Sequence, residues 1–193
     1  VGMVEVPDWR LQRLTELVHP KKTVPTTFEF TDIAGIVKGA SKGEGLGNQF
    51  LSHIRQVDAI CHVVRCFDDD NITHVEGRLD PLADIDTINL ELVLADLDSI
   101  NKRYTRVAKV AKTKDKDAVA ELAVLDKIKP VLEDGRSARS IEFTEEEQKI
   151  VKSLFLLTTK PILYVANVAE DEVAEAESNH YVQEVRNFAA EEK

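Results

Sequence analysis

The stretch Thr26-Thr-Phe-Glu-Phe-Thr-Asp-Ile-Ala-Gly-Ile-Val-Lys-Gly-Ala-Ser-Lys-Gly-Glu-Gly-Leu-Gly-Asn48 runs from an apolar strand into an acid and then into a glycine-rich loop. Phe28 and Phe30 alternate with Glu29 and Thr31 at the period of a strand, and Asp32 stands where that strand ends. The spacing predicts that Asp32 points a carboxylate at whatever lies above the sheet. Gly35 follows three residues later. An acid and a glycine so placed can set a carboxylate on a metal-bound water and a backbone N–H on a phosphate. The glycines and small polar residues between Lys38 and Asn48 read as a loop able to change conformation, and Phe50, Leu51, Ile54 and Val57 then mark an amphipathic helix.

Composition bounds the rest. The 193 residues suffice for a full-sized core, and 43% hydrophobic with 31% charged residues is the balance of a water-soluble globular chain. No apolar run reaches membrane-spanning length, which leads us to expect a cytoplasmic protein without a membrane partner. Cys61 and Cys66 leave a predicted strand on opposite faces, so they read as reduced core thiols rather than a disulfide or metal pair. A net charge of −10 argues against the whole surface binding nucleic acid while allowing a local basic patch. A first residue of Val rather than Met reads as a fragment or a processed chain.

From the N-terminus, Val1 to Pro7 alternates as a short strand, and Asp8 opens a helix with Leu11, Leu14, Leu17 and Val18 on one face, ended by Pro20. Ala59-Ile-Cys-His-Val-Val-Arg-Cys-Phe67 is an almost continuous apolar run, which suits a parallel strand covered on both faces. Residues 68–81 read as a long polar loop. From Asp86, Leu90, Leu94, Leu97, Ile100, Tyr104, Val107 and Ala111 form the seam of a long helix. Ala118, Leu122, Leu125, Ile128 and Leu132 supply a matching one, predicting an antiparallel helical hairpin that turns over near Thr113 to Lys116. Its tip is basic: Lys102, Arg103, Arg106, Lys109, Lys112, Lys114 and Lys116 stand against Asp115 alone. A solvated face of snorkelling lysines and an RNA or ribosome contact both fit that pattern. Thr144-Glu-Glu-Glu147 has capping-box spacing, Ile162 to Ala166 is a buried strand, and a final helix starts near Tyr181. The alternation of strands and helices predicts a three-layer α/β core, residues 1–85 and 158–193, with a helical insertion at 86–157.

Asn167-Val-Ala-Glu170 lies, like Asp32, at a strand's carboxyl end, where ligands of such sheets bind. GTPases read guanine with Asn-Lys-x-Asp at this place, the Asp accepting two hydrogen bonds from the base. Here Val168 replaces the lysine and Glu170 the aspartate, so guanine preference is expected to be relaxed or lost.

Together, Asp32 to Asn48, Asp58-Ala-Ile-Cys-His-Val-Val-Arg65, Asp80-Pro81 with Asp86-Thr-Ile-Asn-Leu-Glu91, and Asn167 to Glu170 resemble the YchF/Obg-like ATPases among the P-loop NTPases. The resemblance covers the chain and implies a G-domain core with an inserted antiparallel coiled coil. It implies hydrolysis of ATP in preference to GTP, with Mg2+, and association with the ribosome. Members begin with a loop G-x-x-x-x-G-K-[ST] and end with a TGS domain. Neither is found in these 193 residues, which therefore read as the middle of such a protein, expected to bind nucleotide poorly alone.

The resemblance also implies roles. Asp32 holds magnesium through water, Gly35 N–H meets the γ-phosphate, and Asn167, Val168 and Glu170 line the base. Ile36 stands where a Ras-like protein has a water-orienting glutamine, and His74 is the candidate replacement. His74 also fits an ordinary loop histidine, His62 a hydrogen-bonded core residue, and His53 a packing or surface residue. Gly43-x-Gly45-x-Gly47 lacks the spacing of a dinucleotide fingerprint and fits better a switch loop that responds to γ-phosphate loss. The alternative reading of the whole is a non-catalytic ribosome- or RNA-binding module acting through Arg106, Lys109, Lys112 and Lys114.

Overall fold

The computed structural model describes residues 1–33, 39, 47–68 and 79–192. It separates into two units, Val1–Gly35 and Ile36–Lys193.

In the first unit, β1 (Gly2–Glu5) pairs antiparallel with β2 (Thr27–Phe30), Gly2 opposite Phe30 and Val4 opposite Phe28. Val6 N donates to Thr26 O at 2.8 Å and extends the ladder by one rung. The helix α1 (Trp9–Val18) lies between them in sequence; its N-cap Asp8 accepts from Arg10 N, and His19 closes it in the left-handed region at φ 47°. The rings of Phe28 and Phe30 lie 4.8 Å apart on one face of β2, as residues two apart must. Most apolar side chains of this unit are exposed, among them Met3, Trp9, Leu14, Leu17 and Phe28, while Leu11 is half-buried.

In the second unit, α2 (Gly47–Ile54) precedes β3 (Ile60–Arg65), which pairs in parallel with β4 (Ile162–Asn167), Ile60 opposite Ile162 and Arg65 opposite Asn167. Among the described residues the two strand-end motifs thus stand on separate two-stranded sheets, not on one sheet as the sequence predicted. The expectation that β3 is covered on both faces is also corrected. The inward face carries Val64 and Cys66, packed with Ile85, Val182 and Val185. Cys61 is exposed on the other face, with Val63 60% and Leu163 64% exposed, because residues one apart leave a pleated strand on opposite sides. Both thiols are free.

The hairpin consists of α3 (Pro81–Ala111) and α4 (Lys116–Glu133). The first helix starts at Pro81, earlier than the apolar seam indicates. Asp80 caps it by accepting from Ala83 N, and Pro81 fits the first helical turn, where no N–H is needed. Asp115 caps α4 through Ala118 N at 2.8 Å. Val93, Ile100 and Val107 of α3 meet Val124, Leu125, Ile128 and Leu132 of α4 in one apolar core. Each such buried side chain contributes about 1.5–3 kcal/mol. Leu90, assigned to the seam, is instead 48% exposed.

A 3₁₀ turn (Ala138–Ser140) leads to α5 (Glu145–Leu154), which begins with the reciprocal Thr144–Glu147 capping box. After β4 come a 3₁₀ segment (Glu170–Ser178) and α6 (His180–Glu191), which buries Val182 and Val185 against the inward face of β3. No described helix is long and apolar enough to cross a membrane.

Candidate functional site

Parallel pairing brings the carboxyl ends of β3 and β4 side by side. Cys66 N donates to Asn167 O at 2.7 Å, so Asn167 adjoins the point where the chain leaves β3 toward residues 68–78. Asn167 and Glu170 are exposed. Val168, assigned to the base, packs its partly buried side chain with Val64, Cys66 and Ile85 and so anchors the loop to the core. Asn179 fastens α6 to the same edge: its Oδ1 accepts from Tyr181 N and Val182 N, while its Nδ2 donates to Cys66 O at 3.2 Å. Arg65 Nε donates to Phe67 O, and its guanidinium lies 4.9 Å from the centre of the Phe67 ring. Burial pushes the Cys66 thiol up to about 11, so it is a protonated packing group and not a nucleophile.

Asp32 belongs to the first unit, exposed just beyond β2. Among the described residues no cation or hydrogen-bond donor engages its carboxylate. A free carboxylate of this kind suits a hard cation held through water, whose remaining ligands would be phosphate and water oxygens. No group of three His, Cys, Asp or Glu that could hold a metal by itself occurs among the described residues. Gly35 and His74 lie outside the described residues. His53 is exposed on α2. His62 departs from the hydrogen-bonded residue expected in the core: its Nδ1 is buried with no partner among the described residues, its ring is 5.6 Å from that of Tyr164, and burial lowers its pKa.

The sequence reading missed a polar cluster at the root of the hairpin. Asp96, fully buried in α3, accepts from Leu157 N at 2.9 Å, Thr158 N at 2.8 Å and Thr158 Oγ1 at 2.8 Å. Arg55, one residue beyond α2, reaches it with Nη1 at 3.4 Å and also donates to Phe155 O, Ala95 O and Ser99 Oγ. Burial pushes the Asp96 carboxyl above the usual carboxylate range, opposed by the donors of Leu157 and Thr158 and by Arg55. One turn and a half earlier on α3, the buried Glu91 accepts from Gly39 N at 2.6 Å. Two acids inside Leu90-Glu-Leu-Val-Leu-Ala-Asp-Leu97 were the available signal.

At the other end of the hairpin the charge pattern is sorted. Lys102 pairs with Asp98 at 2.6 Å and Arg103 with Glu121, whereas the sequence set both against Asp115 alone. Arg106, Lys109, Lys112, Lys114 and Lys116 are exposed and make no ion pair among the described residues. Lys114 turns the chain at φ 61°, a conformation that costs a residue with a Cβ about 1–2 kcal/mol.

Comparison with known proteins completes the picture. A family profile described as "50S ribosome-binding GTPase" matches residues 11–115. A protein of Bacillus subtilis named ribosome-binding ATPase YchF is 71% identical over 190 residues, covering 98% of this chain and 52% of the relative. The protein of the same name from Mycoplasma genitalium is 45% identical over 192 residues. The structure of the Schizosaccharomyces pombe YchF GTPase superposes with a TM-score of 0.79 at 38% identity, covering 98% of this chain and 51% of that one. The chain spans about half the length of the curated relatives it matches. The α/β fold is that of a P-loop GTPase domain, and the chain belongs to the family of 50S ribosome-binding GTPases, in its YchF/Obg-like branch.

Proposed function

We propose that this chain forms part of a cytoplasmic, ribosome-associated P-loop ATPase that binds and hydrolyses ATP in preference to GTP. The observation that carries this reading is Asn167-Val-Ala-Glu170 at the carboxyl end of β4, with both polar side chains exposed and Val168 turned into the core. Asn167 orients the base loop. Glu170 is one methylene longer than the aspartate that pairs with guanine, which misplaces its oxygens for that double contact, and Val168 leaves no lysine stem along the base. Asp32 holds the water shell of Mg2+, and Gly35 gives its N–H to the γ-phosphate. His74 orients the attacking water, a task that apolar Ile36 cannot perform. Mg2+ held in this way would supply neutralisation of the charge that develops on phosphoryl transfer. The names of the relatives support both the ATPase and the ribosome.

The test uses a chimaera in which these residues replace the matching ones of the Bacillus subtilis relative. Calorimetry with Mg-ATP and Mg-GTP should show tighter binding of ATP, and Val168→Lys with Glu170→Asp should move the ratio toward GTP by about tenfold, equivalent to about 1.4 kcal/mol. The 193-residue chain measured alongside should bind both weakly. An unchanged ratio in the double variant removes the base-reading assignment.

A second reading is supported by the cations at the hairpin tip, which are exposed and make no ion pair among the described residues. They form a non-catalytic contact for ribosomal RNA that can operate alongside hydrolysis.

A further inference from the structure

Ile60 N donates to Pro161 O at 2.9 Å, which sets the segments before β3 and β4 side by side. Between those segments opens a cleft of about 470 Å³, lined among others by Arg55, Val57, Asp58, Phe155 and Lys160. It lies at the amino ends of the strands, about 17 Å along them from Arg65 and Asn167. Phe155 follows α5 in the left-handed region, at φ 50° and ψ 44°, a conformation that the Cβ of a bulky residue disfavours. The backbone has a use there: the Phe155 carbonyl accepts from Arg55 Nη1 at 2.9 Å, and Arg55 also donates to Ala95 O and Ser99 Oγ at the root of the hairpin. Glycine would present that carbonyl without the clash. The phenyl ring has no such use, because Phe155 is 64% exposed. Neither packing nor conformation accounts for an aromatic residue at this position. Beside it stand two opposite charges that attract each other through space without forming an ion pair. Lys160 Nζ is tied to Val57 O at 2.6 Å and keeps two N–H donors, while Asp58 is exposed and makes no hydrogen bond or ion pair among the described residues.

We infer that this cleft is a contact for a protein loop of the large ribosomal subunit, with Phe155 as the apolar anchor and Asp58 and Lys160 meeting the charges that flank it. The inference rests on the proposed association with the ribosome. An exposed ring inside a small polar rim has the composition of a binding hot spot, where an aromatic residue supplies the affinity and its neighbours exclude water. The charges favour protein over RNA. A phosphodiester entering the cleft meets the Asp58 carboxylate, whereas a polypeptide can bring an apolar side chain together with both signs of charge. The cleft is also continuous with the hairpin: Ser99, which Arg55 holds, lies about 18 Å from Ala111 on the same helix, a span that one large partner covers. The basic tip and the root of the hairpin then engage the same subunit at two points, one through rRNA and the other through protein.

The test uses the chimaera and purified 50S subunits. Phe155→Gly removes the ring and the backbone strain together, so its urea midpoint should equal or exceed that of the parent while affinity for 50S subunits falls about tenfold. A structural role for the ring would instead lower the midpoint. Asp58→Asn should weaken binding by about threefold at an unchanged midpoint. Mg-ATP affinity should stay the same in both variants, since the cleft lies at the other end of the strands from the base motif. Benzoylphenylalanine placed at position 155 and irradiated in the complex should crosslink to a ribosomal protein. Crosslinks confined to rRNA or absent, a Phe155→Gly affinity within about twofold of the parent, or a loss of affinity accompanied by a lower midpoint each overturn the inference. A parent chimaera that fails to bind 50S subunits overturns the ribosome reading, and this contact with it, whereas a parent that binds and a variant that binds equally well remove the contact alone.

Discussion

His62 carries a buried Nδ1 that has no hydrogen-bond partner among the described residues, and its surroundings set the sign of its effect on stability. Burial lowers its pKa below the ordinary 6.5; the carboxylates of Asp84 on α3 and Glu192 after α6 pull the other way but are outweighed. The folded state therefore holds His62 neutral where the unfolded chain accepts a proton. Its contribution is fully present above the unfolded value and is lost as pH falls through the folded one. The urea midpoint should drop between pH 7.5 and 5.5, and His62→Phe, which keeps the contact with Tyr164, should flatten that part of the slope. An identical slope in the variant rules His62 out as the source. Asp96 teaches a different lesson about single residues. Its position in an apolar helical pattern was readable, but its partners lie some 60 residues away, and nothing local to the helix announces them. The strand-end positions of Asp32 and Asn167 were legible because an alternating apolar run that stops at a polar residue marks where a strand ends. That Val168 serves the core was not, because an apolar residue after a strand fits the core and a ligand equally well.

Among the elements, the hairpin was the most legible. Its period of apolar residues survives in Ile100, Val107, Leu125, Ile128 and Leu132, all buried. Its start was not taken from Asp80-Pro81, although a cap followed by proline is a start signal, because the apolar seam begins later. β3 was misread for a related reason: a continuous apolar run does not say which of its faces is covered. The turn between α3 and α4 supplies the test at this scale. Lys114 is exposed and adopts φ 61° without being glycine. Lys114→Gly should raise stability by about 0.5–1 kcal/mol, seen as a higher urea midpoint, since glycine adopts this conformation without the Cβ clash. A fall in stability would mean that the lysine stem packs on the turn and outweighs its backbone strain.

At the scale of the molecule, sequence order suggested one sheet, while the described residues form two, β1 with β2 and β3 with β4. Alternation of strands and helices identifies the fold class, but not which strands are neighbours, because pairing is decided by contacts distant in sequence. Charge, by contrast, sums without knowledge of the fold. The chain carries −10 overall, yet the hairpin tip holds Arg106, Lys109, Lys112, Lys114 and Lys116 with no pairing acid among the described residues. Lys109→Glu with Lys112→Glu should weaken binding to purified 50S subunits and make the plot of log affinity against log salt shallower by about 1.5–2. An unaltered slope would place the contact elsewhere.

The separation of those cations from an otherwise acidic chain gives α3 and α4 the character of a long electric dipole. Near a polyanion such a dipole feels a torque before it feels any contact, since the tip is drawn in while the acidic remainder is pushed away. The approach is thereby oriented while the partners are still about a Debye length apart, roughly 8 Å at physiological salt. Collisions that begin elsewhere on the acidic surface are turned back, so orientation enters the rate of encounter as much as the strength of the complex.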